Sequence, residues 1–188
     1  KNNVLAEQNA LLLQRISELE MLNAMHHSDS LSKGEAIKRI HRAGYHITAA
    51  QVIDKSVNKT DNYFTLNRGS ADGVAPDMGV MGVDGVVGIV YKCTKHYSLV
   101  MPLLNSNSRI SCKVLGNNDI GYLQWHGGDS RYATLHDLPR YSNVSLGDTI
   151  VTSGSSSFFP EGVMVGRIEE TDPSVDGQYM TLKVQLSS

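Results

Sequence analysis

The stretch GVMGVDGVVGIV, Gly79 to Val90, decides the fold. Two apolar runs flank Asp84-Gly85, and a two-residue hairpin loop of type I′ needs residues that accept positive φ at both positions. The spacing therefore predicts a tight β-hairpin turning on Asp84-Gly85. Glycine also recurs at every third position, as Gly79, Gly82, Gly85 and Gly88. Four such repeats without proline are not collagen, and no GxGxxG opens a helix, so a dinucleotide site is not expected. Glycines inside strands mark bulges and barrel corners instead.

From residue 46 onward the same period of two continues. Phe64 and Leu66, then Leu99, Met101 and Leu103, then Ile110, Cys112 and Val114, and finally Met180, Leu182, Val184 and Leu186 alternate with polar or smaller residues. That is the pattern of half-buried strands. Asp72-Gly73, Asn117-Asn118, Gly127-Gly128 and Asp176-Gly177 stand between them as turn signals. Short strands, tight turns and no helical period between them imply small antiparallel barrels or a sandwich.

Toward the N-terminus the period becomes seven. Leu5, Leu12 and Leu19 fall at heptad position d, and Asn2, Asn9, Ile16 and Asn23 at position a. Leucine at d favours two parallel strands, and asparagine at a fixes register at a cost in stability. Arg15 at g and Glu20 at e supply a pair that crosses between chains. The expected homodimer interface is thus Leu5, Asn9, Leu12, Ile16, Leu19 and Asn23. The alternative is one amphipathic helix lying on its own domain, as Val4, Leu11 and Leu13 off the seam would allow.

Barely three heptads make a weak seam, which an upstream membrane anchor would strengthen by raising effective concentration. The chain starts at Lys1 already within the heptads, so it reads as a piece of something longer, monomeric alone and dimeric when anchored. Residues 28–45, with three serines and Gly34, read as a linker or a broken helical turn, and His26-His27 as solvated linker histidines.

Composition narrows the function. At 188 residues and 40% apolar content the chain can build one or two cores. Its 17 basic residues against 19 acidic ones contain no run that would track a phosphate backbone, so nucleic acid is not an expected partner. No stretch approaches the roughly 18 apolar residues of a membrane helix. Cys93 and Cys112 are too few for a disulfide framework and too far apart for a CxxC site. They are either buried free thiols or, if their strands pair, a disulfide. With no HExxH and no close Cys/His cluster, neither metal nor cofactor is expected.

Small β-barrels can house Ser-His-Asp chemistry, so His136-Asp137 and Ser153, Ser155, Ser156 and Ser157 need weighing. GGDSRY, Gly127 to Tyr132, resembles the GDS of a serine-protease nucleophile, but Arg131 stands where the oxyanion glycine belongs. No GxSxG surrounds any of these serines. Consecutive His and Asp on a strand should also point to opposite faces. No catalytic residue is assigned.

One further stretch is specific: GDTIVTSGSSSFFPEGVMVG, Gly147 to Gly166. Gly147-Asp148 reads as a turn, Thr149 to Thr152 as a β-branched strand and Ser153 to Ser157 as a flexible loop. Pro160-Glu161-Gly162 is a second turn feeding a strand from Val163 to Val165. Phe158 and Phe159 cannot both face one core if the backbone there is extended. They are the expected partner-binding residues, an exposed apolar patch; the alternative buries one and lets the other cover it.

This pattern resembles the family of rod shape-determining protein MreC. Gly147-Asp148, Val151-Thr152-Ser153-Gly154, Phe159-Pro160, Gly162 and Val165-Gly166 match its motif in order. Upstream, Asn67-Arg68-Gly69 with Asp72-Gly73-Val74, Asp84-Gly85-Val86-Val87-Gly88, and Gly121-Tyr122-Leu123 with Trp125 match further parts. The resemblance spans residues 46–170. It implies a mainly β fold, an N-terminal coiled-coil helix followed by two small six-stranded antiparallel β-barrels. The expected divisions are a dimerisation helix over 1–27, a linker over 28–45, a first barrel over 46–115 and a second over 116–188, with the C-terminal strand able to return to the first.

The family also implies a non-catalytic scaffold of the cell-wall elongation complex, on the extracytoplasmic face of the bacterial inner membrane. It would bind and activate peptidoglycan synthases. Implied partners are MreD, RodA with its class B penicillin-binding protein and, indirectly, MreB filaments, with no cofactor. The family's cytoplasmic tail and transmembrane helix are missing from this sequence, so the anchor is implied by resemblance alone. Two rival readings are a periplasmic adaptor of an efflux assembly, which needs two helical arms where one is seen, and a chymotrypsin-like serine hydrolase.

Overall fold

A computed structural model describes residues 47–56, 61–173 and 178–187. The heptads, with the expected interface Leu5, Asn9, Leu12, Ile16, Leu19 and Asn23, and the linker over 28–45 lie outside the described residues, as does the Asp176-Gly177 turn.

Alternation produces strands wherever the sequence carries it clearly. β1 (Val52–Lys55), β2 (Phe64–Leu66), β3 (Gly79–Gly82), β4 (Gly85–Cys93) and β5 (Ser98–Pro102) form a five-stranded sheet in the order β1-β2-β5-β4-β3. β6 (Ile110–Val114), β7 (Ile120–Gln124), β8 (Tyr132–Pro139), β9 (Thr149–Thr152), β10 (Met164–Pro173) and β11 (Tyr179–Leu186) close into a six-stranded barrel in the order β10-β11-β8-β7-β6-β9. Every neighbouring pair in both groups is antiparallel. Among the described residues no helix is long and apolar enough to cross a membrane.

Three expectations change. One closed six-stranded barrel is present, and in place of a second the described residues form the open sheet. The division between the two does not fall at 115/116: β6 belongs to the barrel, so the crossing segment lies between Pro102 and Ile110. β11 stays in the barrel between β10 and β8 instead of returning to the sheet. The reason is core continuity, since Cys112, Leu123, Leu135, Ile150, Leu182 and Val184 pack into one cluster that needs both β6 and β11.

The hairpin at Gly79 to Val90 forms, but one residue out of register. Gly82 pairs with Gly85, so the loop is Val83-Asp84, and neither has positive φ; the turn is not type I′. A register shift between Val80 and Met81 accommodates the displacement. Gly85 is needed within the strand because a side chain there would overlap the Met164 carbonyl of β10. The cysteines lie in different sheets, Cys93 on β4 and Cys112 on β6, and both are free thiols. Burial pushes the Cys112 thiol well up, leaving it protonated and inert.

Sheet and barrel share a core. Val86 and Ile89 of β4 and Leu103 of the crossing segment pack with the barrel residues, while Phe64, Leu66, Val90 and Val100 make a smaller cluster inside the sheet. The crossing segment is itself pinned: the buried Asn105 side chain donates to the Asn62 carbonyl at 2.7 Å, and the buried Asn62 side chain donates to the Leu104 carbonyl at 2.8 Å. Paired amides of this kind satisfy backbone groups that could not otherwise be buried.

Candidate functional site

The loop joining β9 to β10 carries the Gly147 to Gly166 motif, and its conformation follows from a few side chains. Thr152, at the end of β9, donates its hydroxyl to the Pro160 carbonyl at 2.5 Å and accepts the Val163 N–H at 2.9 Å. The loop ends are thereby closed on one β-branched residue. The expected flexible serine loop is tied down as well. Ser153 and Ser155 lie 2.7 and 2.8 Å from the Ser111 hydroxyl on β6 and 2.8 Å from each other, a closed triangle of hydroxyls. Lys113, two residues along β6 and only 13% exposed, reaches Glu161 at 2.8 Å.

The loop thus holds Phe159 inward. That ring is 1% exposed and belongs to the shared core. Phe158 is partly buried against the same cluster. The expected exposed pair is therefore corrected: loop closure on Thr152 turns one ring fully into the core and leaves the other beside it. Gly79 of β3 sits under this point, where a side chain would overlap the Phe158 carbonyl and the Phe159 ring. A single motif residue, Phe159, thereby fastens the barrel loop to the sheet.

Among the described residues the serines and His136 do not come together as a catalytic set. Ser111 pairs with Tyr122, and Tyr122 with His136, so the three form a row across β6, β7 and β8. At about 4.8 Å per strand, His136 stands roughly 10 Å from Ser111. Ser153 and Ser155 lie on the β9 side of that row. The expectation that His136 and Asp137 face opposite sides is also corrected. Leu135 and Leu138 both point into the barrel, and the two residues between them oppose Thr181 alone, a bulge with Asp137 at φ 63°.

At the His136 side of this row, spacing rules gave no sign of what the fold assembles. His136 Nε2 lies 2.8 Å from His126 Nε2, and burial first, then the His126 charge, holds His136 below the usual histidine range. Nearby, Arg131 grips Asp129 through two nitrogens, at 2.6 Å for the shortest contact, and holds that carboxyl down to about 2. Among the described residues no three His, Cys, Asp or Glu side chains group as metal ligands.

Comparison with known proteins places this geometry. The family model for the barrel core of rod shape-determining protein MreC matches residues 52–188. The cell shape-determining protein MreC of Listeria monocytogenes is 32% identical over 136 residues, which is 70% of this chain and 46% of that protein. The chain thus spans less than half of that relative's length. A solved MreC structure from Listeria superposes with a TM-score of 0.71 at 26% identity, covering 96% of this chain and 90% of that one. A complex between Penicillin-Binding Protein (PBP2) and MreC from Helicobacter pylori shares the fold, with a TM-score of 0.58 at 16% identity over 71% of this chain and 81% of that one. These relatives are named for shape determination and not for a reaction. The chain belongs to the family of rod shape-determining protein MreC, whose barrel core it carries.

Proposed function

We propose that this chain is the extracytoplasmic scaffold of a bacterial wall-elongation complex, acting without chemistry by holding a class B penicillin-binding protein in a favoured conformation. The observation that carries this reading is the Helicobacter pylori complex, in which an MreC of the same fold is bound to a penicillin-binding protein. RodA and MreD are the further partners, MreB filaments an indirect one, and the helix over 1–27 pairs two copies through Leu5, Asn9, Leu12, Ile16, Leu19 and Asn23. A ligand of this kind acts by binding one state of the synthase better than another.

Two features support a binding role. Among the described residues β1 and β3 are open edges, and an open edge can accept an added strand. Phe158, partly exposed over a fully buried Phe159, is a preorganised apolar contact. Capture of wall-synthesis proteins from a membrane extract tests the reading, using the chain with and without residues 1–30. Recovery of a penicillin-binding protein, weakened by Phe158→Ser in a folded chain, is the expected result; no recovery with either version would overturn it.

A further inference from the structure

His126 and His136 lie outside the motif loop, and a scaffold role makes no use of them. Their Nε2 atoms are 2.8 Å apart, their ring planes cross at 82°, and their centroids are 5.1 Å apart. That centroid separation is the nitrogen separation plus one ring radius at each end, so the two nitrogens point at each other along one line. One Nε2–H donates into the other's lone pair, and the acceptor ring keeps its own proton on Nδ1.

We propose that this pair is an acid-released clasp: it holds the turn from Trp125 to Arg131 against β8 while at most one ring is charged, and opens when both are. The proton count dictates this. A first added proton goes to Nδ1 of the donor ring, which leaves the N–H···N bond intact and makes it charge-assisted. The only basic nitrogen then left is the acceptor Nε2. A second proton there sets two N–H groups and two positive charges head to head at hydrogen-bond distance.

The surroundings favour the same sequence of events. His126 is the exposed ring and His136 the half-buried one, so the first charge is better solvated on His126. Besides burial and His126, Arg109 also disfavours charge on His136, while Asp137 beside it favours charge. Tyr122 faces the pair from β7. Trp125 Nε1 donates to the Asp129 carbonyl and Arg131 pairs with Asp129, ties that stay within the turn. Among the described residues the histidine contact is the side-chain hydrogen bond from the turn to β8. Because His136 is held down in the folded state, its contribution to stability is full above the ordinary histidine value near 6.5 and is lost as pH falls below it.

Imidazole NMR titration of the whole chain, read alongside amide exchange, tests the clasp. The expected result is two macroscopic steps separated by at least about one pH unit, with intrinsic-rate-corrected exchange of residues 126–131 rising at least tenfold across the lower step. His126→Ala, at an exposed site, should move the His136 titration upward and leave the turn fast-exchanging at every pH. Independent ordinary titration of both rings would overturn the proposal, and so would a split titration without faster exchange of the turn.

Discussion

In the barrel every strand has two hydrogen-bonded neighbours, whereas in the sheet β1 and β3 have one each among the described residues. The burial differs in step. The barrel's interior residues form the larger cluster, with Leu135, Leu138, Ile150, Val165, Leu182 and Val184 fully buried. The sheet's own cluster has four members, and β1 is exposed along its whole length, with Val52 and Ile53 each more than half exposed. Closure removes edges and lets one core serve six strands. A five-stranded sheet with so small a core needs support, and it draws that support from Val86, Ile89 and Leu103 across the seam. The barrel is the platform, and the sheet is the dependent element whose described strands leave an edge open.

This contrast can be broken hardest at Phe159. Phe159→Ala removes a ring common to both regions and should cost about 3–5 kcal/mol, seen as a lower midpoint in denaturant melts of sheet and barrel together. Phe158→Ala, by comparison, should cost about 1 kcal/mol because that ring is only partly buried. Asn105→Ala strikes the crossing segment instead. It removes the buried amide that donates to the Asn62 carbonyl and should cost about 1–3 kcal/mol, with faster exchange concentrated in β1 and β2. Ile53→Ser on the exposed edge should change stability by no more than about 0.5 kcal/mol, which a thermal melt would check. The smallest effect belongs to Asp129. Its carboxyl is held down by Arg131, so the pair contributes above the usual aspartate range and loses that contribution as pH falls toward 2. The pair is exposed, so Asp129→Asn should lower stability only slightly above the usual aspartate range, the two pH-stability curves should converge as pH falls toward 2, and salt should shrink the difference.

Which parts of this were legible in the chain follows from how far apart the interacting residues lie. Ile110 to Val114 and Tyr179 to Leu186 alternate plainly, and both are strands where the period places them. Barrel closure was not legible, because pairing β6 with β9 and β11 with β8 depends on which faces meet, and a period of two is silent on that. The hairpin slipped by one residue because Gly85 answers to Met164, far away in sequence. Phe158 and Phe159 could not be told apart by alternation, since the backbone between β9 and β10 is not extended; Thr152 closing the loop decides which ring goes in. At His136 the bulge hid the site: aspartate tolerates left-handed backbone better than most residues, but nothing nearby requires it. Motif order, by contrast, identified the family correctly while leaving open what each motif residue does.

Native-state hydrogen exchange at increasing denaturant tests the division between platform and dependent sheet most directly. The account predicts that amides of β6 to β11 exchange only with global unfolding, while β1 and β2 open at clearly lower free energy and Phe159→Ala lowers both. Protection of β1 and β2 equal to that of the barrel, or a barrel that opens first, would contradict it.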